Sequence, residues 1–283
     1  LKSKLHFMIE SSSNGNIEIK TSQGNKTPVQ VVRDIIKYLI DLAQSKNGYT
    51  IITHAVITVP AYFSIKQRLQ TEEAAKMAGL KVVHLINEPE AAIIGCWFID
   101  QERNAEINKT VLAYHFGGAT IAASLAIVYK DNITVVASSE EMEVGGRDID
   151  SNLFEFYINK LNLQKLKNDT TKNDRAGERA RLKTRKIYRE CERAKLHFSC
   201  TNDDYIISPD IEFDDIYDTD VEITNKQFNS INESLINKLT NPIDAVFQDA
   251  KVKNLNITKN NVTNIILIGG SCKNRFVTKC LID

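Results

Sequence analysis

Apolar residues recur along this chain with two periods, one typical of helices and one typical of strands. In the first third, a helical pattern begins at Thr27-Pro28, and a β-branched run at 51–60 predicts a strand. A helix that ends at Met77 and a strand at 82–86 follow, and another helix begins at Asn87. This alternation of strand and helix predicts an α/β layer in which helices cover a sheet.

The middle of the chain has the pattern of a buried hairpin. Two apolar runs, Val111–Phe116 and Ile121–Tyr129, flank a glycine turn, and a third strand is predicted at Ile133–Ser138. The polar residues 100–109 before the hairpin have the composition of a crossover between two lobes. A second glycine turn leads into a helix predicted around Ser151–Leu163.

The last part of the chain is predicted to be mostly helical. Residues 164–174 have the composition of a polar linker, and a long helix is predicted from about Asp174 to Ser199. Its apolar stripe consists of Leu182, Ile187, Cys191, Ala194 and Phe198. Another helical stretch covers 224–250. A buried strand at Ile265–Ile268 runs into a third glycine turn, which precedes a helix at 273–281.

Three Gly-Gly pairs follow strands in this pattern, and they are the first indication of a binding site. They are Gly117-Gly118, Gly145-Gly146 and Gly269-Gly270. Glycine lets the main chain approach a bulky anion, and successive N–H groups in such turns bind phosphate. The third turn also lies at the amino end of a helix, where the dipole is positive. The three turns predict a single anion held between two lobes; the alternative is three ordinary structural turns.

Composition and charge exclude several other functions. The chain has 283 residues, with 36 basic and 36 acidic side chains, so its charge does not favour nucleic acid or a membrane as a partner. Nine basic residues in 175–195 and nine acidic residues in 203–222 are predicted to form solvated, mutually attractive faces. The five scattered cysteines have no zinc-binding spacing, which favours a reducing compartment such as the cytoplasm. The longest apolar stretch, 91–99, is too short to span a bilayer.

Seven short motifs, in order and at matching spacing, resemble the nucleotide-binding domain of heat-shock protein 70 (DnaK-type) chaperones. They are Val59-Pro60-Ala61-Tyr62-Phe63, Gln67-Arg68, Ile86-Asn87-Glu88-Pro89, Phe116-Gly117-Gly118, Gly145-Gly146, Cys191-Glu192-Arg193-Ala194-Lys195 and Gly269-Gly270-Ser271. The resemblance runs from about Val31 to the end of the chain. It implies the actin-like, ribonuclease-H-like ATPase fold, an α/β fold in which two lobes enclose a cleft.

The resemblance also implies how the chain divides into domains. Residues 1–103 match part of the first lobe, with elements of subdomain IB and half of IA. Residues 104–165 match the first part of the base of the second lobe (IIA), 166–223 its top (IIB), and 224–283 the second part of its base. The family domain normally begins earlier, with a phosphate hairpin and a catalytic lysine for which residues 1–30 offer no candidate. We therefore expect the first lobe to be incomplete.

Two carboxylates of the family are missing from the central hairpin. In the family, one aspartate precedes the glycines and another follows the threonine, and they organise a hydrated Mg²⁺ ion and the attacking water. His115 and Ala122 stand at these positions, and Ala119 replaces the third glycine. Magnesium prefers hard oxygen ligands, and losing one preorganised electrostatic group costs about a hundred- to a thousand-fold in rate. The resemblance therefore implies impaired hydrolysis, with ATP or ADP and Mg²⁺ bound weakly or not at all.

His115 itself has two interpretations. At the end of an apolar strand, it is a buried, hydrogen-bonded, neutral histidine. Alternatively, it is a cationic imidazole that contacts a phosphate, which would make the contact sensitive to pH. In neither form does it replace a magnesium ligand.

The resemblance assigns roles to the remaining site residues. Glu88 would contact the hydration shell of the magnesium ion, with no direct metal ligand in the chain, and Thr120 would contact a phosphate. Pro60 and Arg68 would couple the nucleotide to a substrate domain. The other nucleotide-contacting positions are Gly117, Gly118, Gly145, Gly146, Glu192, Lys195, Ser199, Gly269, Gly270 and Lys273. Lys273 replaces a family arginine, and lysine stacks less well on a base.

Taken together, these features predict a divergent family member that acts as a nucleotide-binding or scaffolding co-chaperone, similar to the atypical ribosome-associated members. The expected partners are a J-domain co-chaperone, the ribosome or another chaperone, and unfolded or nascent polypeptide bound through a domain that this sequence does not show. One alternative is an ATP-hydrolysing chaperone with a rearranged catalytic centre. Another is an exchange-factor-like scaffold that uses no hydrolysis.

Overall fold

A computed structural model describes residues 9–12, 15–102, 109–129, 132–172, 174–211 and 219–282. The chain forms two compact units, Leu1–Ala91 and Ala92–Asp283. The finer division into four segments stays a prediction. No helix in the described ranges is long and apolar enough to cross a membrane.

The first unit combines a small antiparallel sheet with a parallel strand pair and two helices. Its strands are β1 (Ile9–Ser11), β2 (Ile17–Thr21), β3 (Gly24–Lys26), β4 (His54–Val59) and β5 (Lys81–Asn87), and its helices are α1 (Pro28–Lys46) and α2 (Ile65–Met77). Strands β1, β2 and β3 form the antiparallel sheet, whereas β4 and β5 pair in parallel. The predicted order of strand and helix is therefore confirmed in this unit, although β4 begins at His54 rather than at 51.

Local sequence explains where these helices begin and end. Thr27 caps α1 and Ser64 caps α2, and each hydroxyl accepts a hydrogen bond from the amide of the glutamine three residues later. Each glutamine side chain accepts a hydrogen bond from the amide of its cap residue in return, which completes a capping box. Helix α2 ends at Met77, and Gly79 follows with a φ of +94°, the left-handed conformation that commonly terminates a helix.

The second unit is built on a four-stranded sheet with the strand order β11–β6–β7–β8. Helix α3 (Glu88–Glu102) contains the boundary between the units. The strands of this unit are β6 (Lys109–Phe116), β7 (Thr120–Val128), β8 (Ile133–Met142), β9 (Tyr205–Ile207), β10 (Val221–Ile223) and β11 (Asn264–Ile268). Its other helices are α4 (Gly146–Lys160), α5 (Gln164–Asp169), α6 (Arg175–Cys200), α7 (Asn225–Ile231), α8 (Glu233–Ile236), α9 (Asn241–Val252) and α10 (Arg275–Ile282).

Two hydrophobic cores lie on opposite faces of this sheet. Leu112, Tyr114 and Phe116 of β6 belong to the larger core, which they share with residues of α4, α6, α7 and α9. The alternate residues Val111 and Ala113 belong to a smaller core that includes side chains of α3. Because successive side chains of a strand point to opposite faces, burial on both faces explains the continuous apolar run in the sequence.

The starts and ends of several elements in this unit differ from the sequence prediction. Helix α4 begins at Gly146 rather than near Ser151, because the side chain of Asp148 accepts the amide of Gly145 and closes the first turn. Strand β8 extends to Met142. Helix α3 reaches Glu102 and β6 begins at Lys109, so both ends of the crossover predicted at 100–109 belong to regular elements, and residues 103–108 lie outside the described residues.

The helices of the last part also differ from expectation. The predicted linker contains α5, whose Leu166 is buried. The single helical stretch predicted at 224–250 is divided into α7, α8 and α9, and the break between α7 and α8 falls at the fully buried Asn232. Leu182 is 54% exposed, so it does not belong to the buried stripe of α6, whereas the other four predicted members are buried.

Candidate functional site

The three glycine turns meet at one place in the second unit. We call this place the glycine junction and define it as Gly117–Ala119, Gly145–Gly146 and Gly269–Ser271. The amide of Gly146 donates to the carbonyl of Gly117 at 2.9 Å, and the hydroxyl of Ser271 donates to the same carbonyl at 3.1 Å. The structure thus brings together all three turns that the sequence singled out. Their role in binding an anion stays a prediction.

Close backbone approach explains why glycine occupies the junction. A Cβ on Gly145 would overlap the amide nitrogen of Ala119, and a Cβ on Gly146 would overlap the hydroxyl of Ser271. Gly269 has a φ of +91°, and a Cβ there would overlap the carbonyl oxygen of Phe116. At Gly145 and Gly269 the junction is therefore packed backbone against backbone, and a side chain larger than hydrogen there would force the turns apart.

Hydrogen bonding inside the junction limits which amides are left for a ligand. Gly146 and Arg147, the first residues of α4, donate their amides to the carbonyls of Gly117 and Gly118, each at 2.9 Å. Among the described residues, no acceptor is found for the amides of Gly118 and Ala119, and both residues are exposed. The tip of the β6–β7 hairpin, rather than the start of α4, therefore offers N–H groups to an anion.

The two positions that lack family aspartates lie directly opposite each other. His115 of β6 pairs with Ala122 of β7, and Ala122 pairs with Glu140 of β8. We call His115, Ala122 and Glu140 the cross-strand row. One row further along the strands, the hydroxyls of Ser124 and Ser138 contact each other at 2.9 Å. Because residues two apart on a strand share a face, the cross-strand row lies on the same face as this serine pair.

His115 is half-buried rather than fully buried, and its ring lies beside the hairpin turn. A Cβ on Gly117 would lie 2.8 Å from Cε1 of the ring and 3.1 Å from Nε2. The ring therefore occupies the space next to a residue that is predicted to contact phosphate. This location agrees with a contact between imidazole and anion.

The residues at positions 115 and 122 do not fit a magnesium ion. Ala122 is 4% exposed and has only a methyl group, and His115 offers nitrogen where magnesium prefers oxygen. Glu140 is a carboxylate in the same row, but the described part of the chain contains no chelating cluster of three or more His, Cys, Asp or Glu residues. Sequence reasoning missed Glu140, because only the β7–β8 register brings it beside Ala122.

Lys195 reaches the junction from α6 and forms an ion pair that the sequence did not predict. Its Nζ atom lies 2.7 Å from Oδ2 of Asp150 and 3.4 Å from the carbonyl oxygen of Gly146. The two side chains are only 13% and 12% exposed. Burial raises the pKa of Asp150 above its usual range, and the hydrogen bond from Lys195 opposes that shift. A charged residue on the apolar face of α4 was the one sequence signal that pointed to Asp150.

The other residues predicted to contact a nucleotide lie on α6, at the start of β7 and in the turn before α10. Ser199 donates its hydroxyl to the carbonyl of Lys195 at 2.9 Å, so it is tied to its own helix. Glu192 and Lys273 are exposed, the latter in the short 3-10 turn before α10. The carbonyl of Thr120 accepts the amide of Gly117 at 3.0 Å, which closes the hairpin. The roles of these residues toward a ligand stay predictions.

The first unit contains the remaining predicted residues. Arg68 donates to Oδ1 of Asn87 at 2.7 Å and to the carbonyl of Ala61 at 3.1 Å, and it also reaches the carbonyl of Pro60 at 3.5 Å. Asn87 is followed directly by Glu88, the first residue of α3. The arginine thus connects the turn after β4 with the end of β5, next to Glu88.

Comparisons with known proteins match almost the whole chain. The family described as Hsp70 protein matches residues 2–281. Heat shock 70 kDa protein 2 of Paracoccidioides lutzii is 31% identical over 271 residues, which cover 95% of this chain and 38% of that protein. A ribosome-associated molecular chaperone of Zygosaccharomyces rouxii is 32% identical over 281 residues, which cover 98% and 42%. Chaperone protein dnaK of Cyanophora paradoxa is 29% identical over 269 residues, covering 94% and 40%. The chain spans about two fifths of the length of these relatives.

Proposed function

This chain belongs to the Hsp70 family and has the actin-like ATPase fold of its nucleotide-binding domain; from that premise, we propose that it belongs to a chaperone or co-chaperone that binds adenine nucleotide weakly and hydrolyses it little or not at all. The observation that carries the proposal is the cross-strand row. The glycine junction is intact, whereas His115 and Ala122 stand where the two carboxylates of the hairpin belong.

The residues of the second unit suit the phosphates of a nucleotide better than its metal ion. The amides of Gly118 and Ala119 are available at the hairpin tip, and Thr120 follows them. In the family, Mg²⁺ bound with the nucleotide neutralises phosphate charge. Here a methyl group at Ala122 neither orients a water molecule nor accepts its proton. We therefore expect ATP turnover to be at least about a hundredfold slower than in a family member that has the aspartate.

The proposed partners follow from the family and from the residues of the first unit. We propose a J-domain co-chaperone as a partner and the ribosome or another chaperone as a second one, because the relative from Zygosaccharomyces rouxii is named a ribosome-associated chaperone. The hydrogen bonds of Arg68 supply a candidate coupling element. Unfolded or nascent polypeptide would bind through a domain outside this chain. We propose the cytoplasm as the compartment, because five scattered cysteines without a zinc-binding spacing favour a reducing environment.

Calorimetry and steady-state ATP turnover test this proposal together. We expect measurable but weak binding of ATP and ADP, and turnover near the background of an enzyme-free sample. Readily measured turnover that is abolished by Glu88→Ala, but unchanged by Glu178→Ala on the exposed side of α6, would refute it. Tight ATP binding that depends on magnesium would also contradict the proposal.

A second candidate is a working ATPase with a rearranged centre. Glu140 favours it, because the register puts this carboxylate directly opposite Ala122, one strand away from the position of the missing aspartate. In that case, Glu140→Gln would abolish turnover. The matched control is Glu222→Gln, an exposed glutamate of β10, which would leave turnover unchanged.

A further inference from the structure

Arg147 directly follows Gly146 of the glycine junction and was not among the residues predicted to bind a ligand. It is the second residue of α4, its side chain is exposed, and its amide holds the carbonyl of Gly118 at 2.9 Å. The side chain follows the hairpin turn closely. A Cβ on Gly118 would lie 3.8 Å from Nε of the arginine and 4.0 Å from its Cγ. The guanidinium group therefore stands next to the turn whose amides are available.

Within the described ranges Arg147 forms no ion pair, and Asp150, which attracts it from beyond ion-pair distance, is already paired with Lys195. The neighbouring carboxylate, Asp148, accepts the amide of Gly145 at 2.8 Å and so serves the start of the helix. The carbonyl of Arg147 accepts the hydroxyl of Ser151 at 2.9 Å, which helps to fix the backbone of this first turn. The result is a positive charge on a rigid, solvent-exposed segment.

The charges around the hairpin turn are thus reversed relative to a metal site. A metal site needs carboxylates, but the hairpin itself has an imidazole at His115 and a methyl group at Ala122, and the one carboxylate of the cross-strand row, Glu140, lies on the next strand, β8. An anion site needs donors and positive charge, and the turn has two available amides and a guanidinium group. Guanidinium is always charged and presents planar donors that match phosphate oxygens.

We propose that Arg147 is a phosphate-binding residue of the glycine junction and that this site binds the phosphates of a nucleotide without a divalent cation. The inference rests on the nucleotide binding proposed above; it adds a binding residue and states that binding requires no divalent cation. The amides of Gly118 and Ala119 donate to phosphate oxygens, and the guanidinium group of Arg147 supplies the charge that magnesium supplies elsewhere in the family.

Calorimetric titrations with four probes test this inference. The probes are ATP, ADP, inorganic pyrophosphate and adenosine, each in magnesium chloride and in EDTA. We expect ATP and pyrophosphate to bind as tightly in EDTA as in magnesium. Arg147→Gln is expected to weaken both by about five- to tenfold, which corresponds to two unit charges about 4 Å apart in largely aqueous surroundings, as suits an exposed side chain. Adenosine has no phosphate, so its affinity should not change.

Two further variants distinguish the charge and the planar donors of Arg147 from the effect of removing any exposed arginine. Arg147→Lys keeps the charge but not the planar donors, so it should recover part of the lost affinity. Arg179→Gln removes an exposed arginine of α6, sixteen residues before Lys195 and therefore about 24 Å away along the helix axis. This control should bind every probe like the unchanged protein. Because Arg147 and Arg179 are both exposed, both variants should retain the unfolding temperature.

The outcomes distinguish this inference from the proposed function. If ATP binding requires magnesium and Arg147→Gln binds as tightly as the unchanged protein, the inference is wrong and nucleotide binding stands. If magnesium strengthens binding and Glu140→Gln removes that gain, Glu140 holds the cation and the inference is again wrong. If neither ATP, adenosine nor pyrophosphate binds, both the inference and the proposed nucleotide binding fail.

Discussion

Replacing Gly269 by alanine is the sharpest test of how the glycine junction is packed. Gly269 has a φ of +91°, a left-handed conformation that residues with a Cβ rarely adopt. A Cβ there would also overlap the carbonyl oxygen of Phe116, which is a buried residue at the end of β6. The substitution thus combines backbone strain with a collision against backbone, which cannot be relieved by rotating a side chain.

The expected loss of stability follows from these two contributions. At a φ of +91° and a ψ of 148°, backbone angles that essentially only glycine adopts, an alanine costs about 1–2 kcal/mol. Pushing a packed strand aside costs about 1–3 kcal/mol more. We therefore expect the free energy of unfolding to fall by about 2–5 kcal/mol. For a unit of this size, each kcal/mol lowers the unfolding temperature by roughly 2–4 °C, so Gly269→Ala should lower it by about 4–20 °C.

Tryptophan fluorescence is the appropriate assay, because it reports on the second unit alone. The chain has one tryptophan, Trp97, and its side chain packs into the smaller core of that unit. The matched control is Gly270→Ala, since a Cβ on Gly270 meets nothing within 4 Å and its φ lies outside the left-handed region. The control should keep its stability within about 1 kcal/mol.

The difference in unfolding temperature between Gly269→Ala and Gly270→Ala is the measurement that tests this packing. If Gly269→Ala and Gly270→Ala unfold at the same temperature, the close approach between the third glycine turn and the end of β6 is refuted. The geometry of the junction, from which both ligand proposals start, would then need revision.

Three further predictions concern buried groups of the second unit. Lys195→Met leaves the carboxylate of Asp150 without its cation, so we expect the free energy of unfolding in urea to fall by about 3 kcal/mol at neutral pH. Burial holds the pKa of Asp150 above its value in the unfolded chain, so the charged carboxylate destabilises the fold as pH rises through these two pKa values. The loss of stability should therefore shrink as pH falls toward about 4, where the carboxyl becomes protonated. Tyr114→Phe removes a hydrogen bond of 2.9 Å to a carbonyl in the core and should cost about 1–2 kcal/mol in the same assay. Iodoacetamide should alkylate the exposed Cys200 in the folded protein but Cys272 only on unfolding, since burial raises the pKa of the Cys272 thiol, and peptide mass spectrometry would measure both rates.

Each of these three predictions has a result that would contradict it. Equal losses for Lys195→Met at pH values of about 4 and 7 would show that the carboxyl of Asp150 is not the cause. Unchanged stability of Tyr114→Phe would mean that the hydroxyl is not needed by the carbonyl of Leu239. Alkylation of Cys272 at the rate of Cys200 would contradict its burial, which leaves it 5% exposed.

Helix starts and ends that depend on only a few neighbouring residues could be predicted from the sequence. Thr27-Pro28 and Gly79 predicted the start of one helix and the end of another, because caps and left-handed glycines depend only on their neighbours in sequence. Linker composition misled at 164–174, since a short helix such as α5 needs only one buried leucine and is otherwise polar.

Features that depend on strand register or on packing between distant parts of the chain could not be predicted from the sequence. Glu140 became relevant only when β8 was aligned with β7, and a shift of one residue would have turned it to the opposite face. The pair of Lys195 and Asp150 joins two helices at positions 45 apart in sequence. The side chain of Arg147 lies close to Gly118, and no sequence motif predicts that distance. The family, in contrast, was recognisable from short motifs alone.

The pairing of β11 with β6 has a consequence for the order in which the protein folds. The contact between Ser271 and Gly117 spans 154 positions in sequence, so closing it costs more chain entropy than forming the β6–β7 hairpin. Until β11 docks, β6 is an edge strand whose buried, apolar residues and free backbone groups can pair with another chain. The interval before β11 arrives is therefore the stage at which this protein is most exposed to aggregation, and substitutions that delay docking should lower the refolding yield before they lower the stability of the folded state.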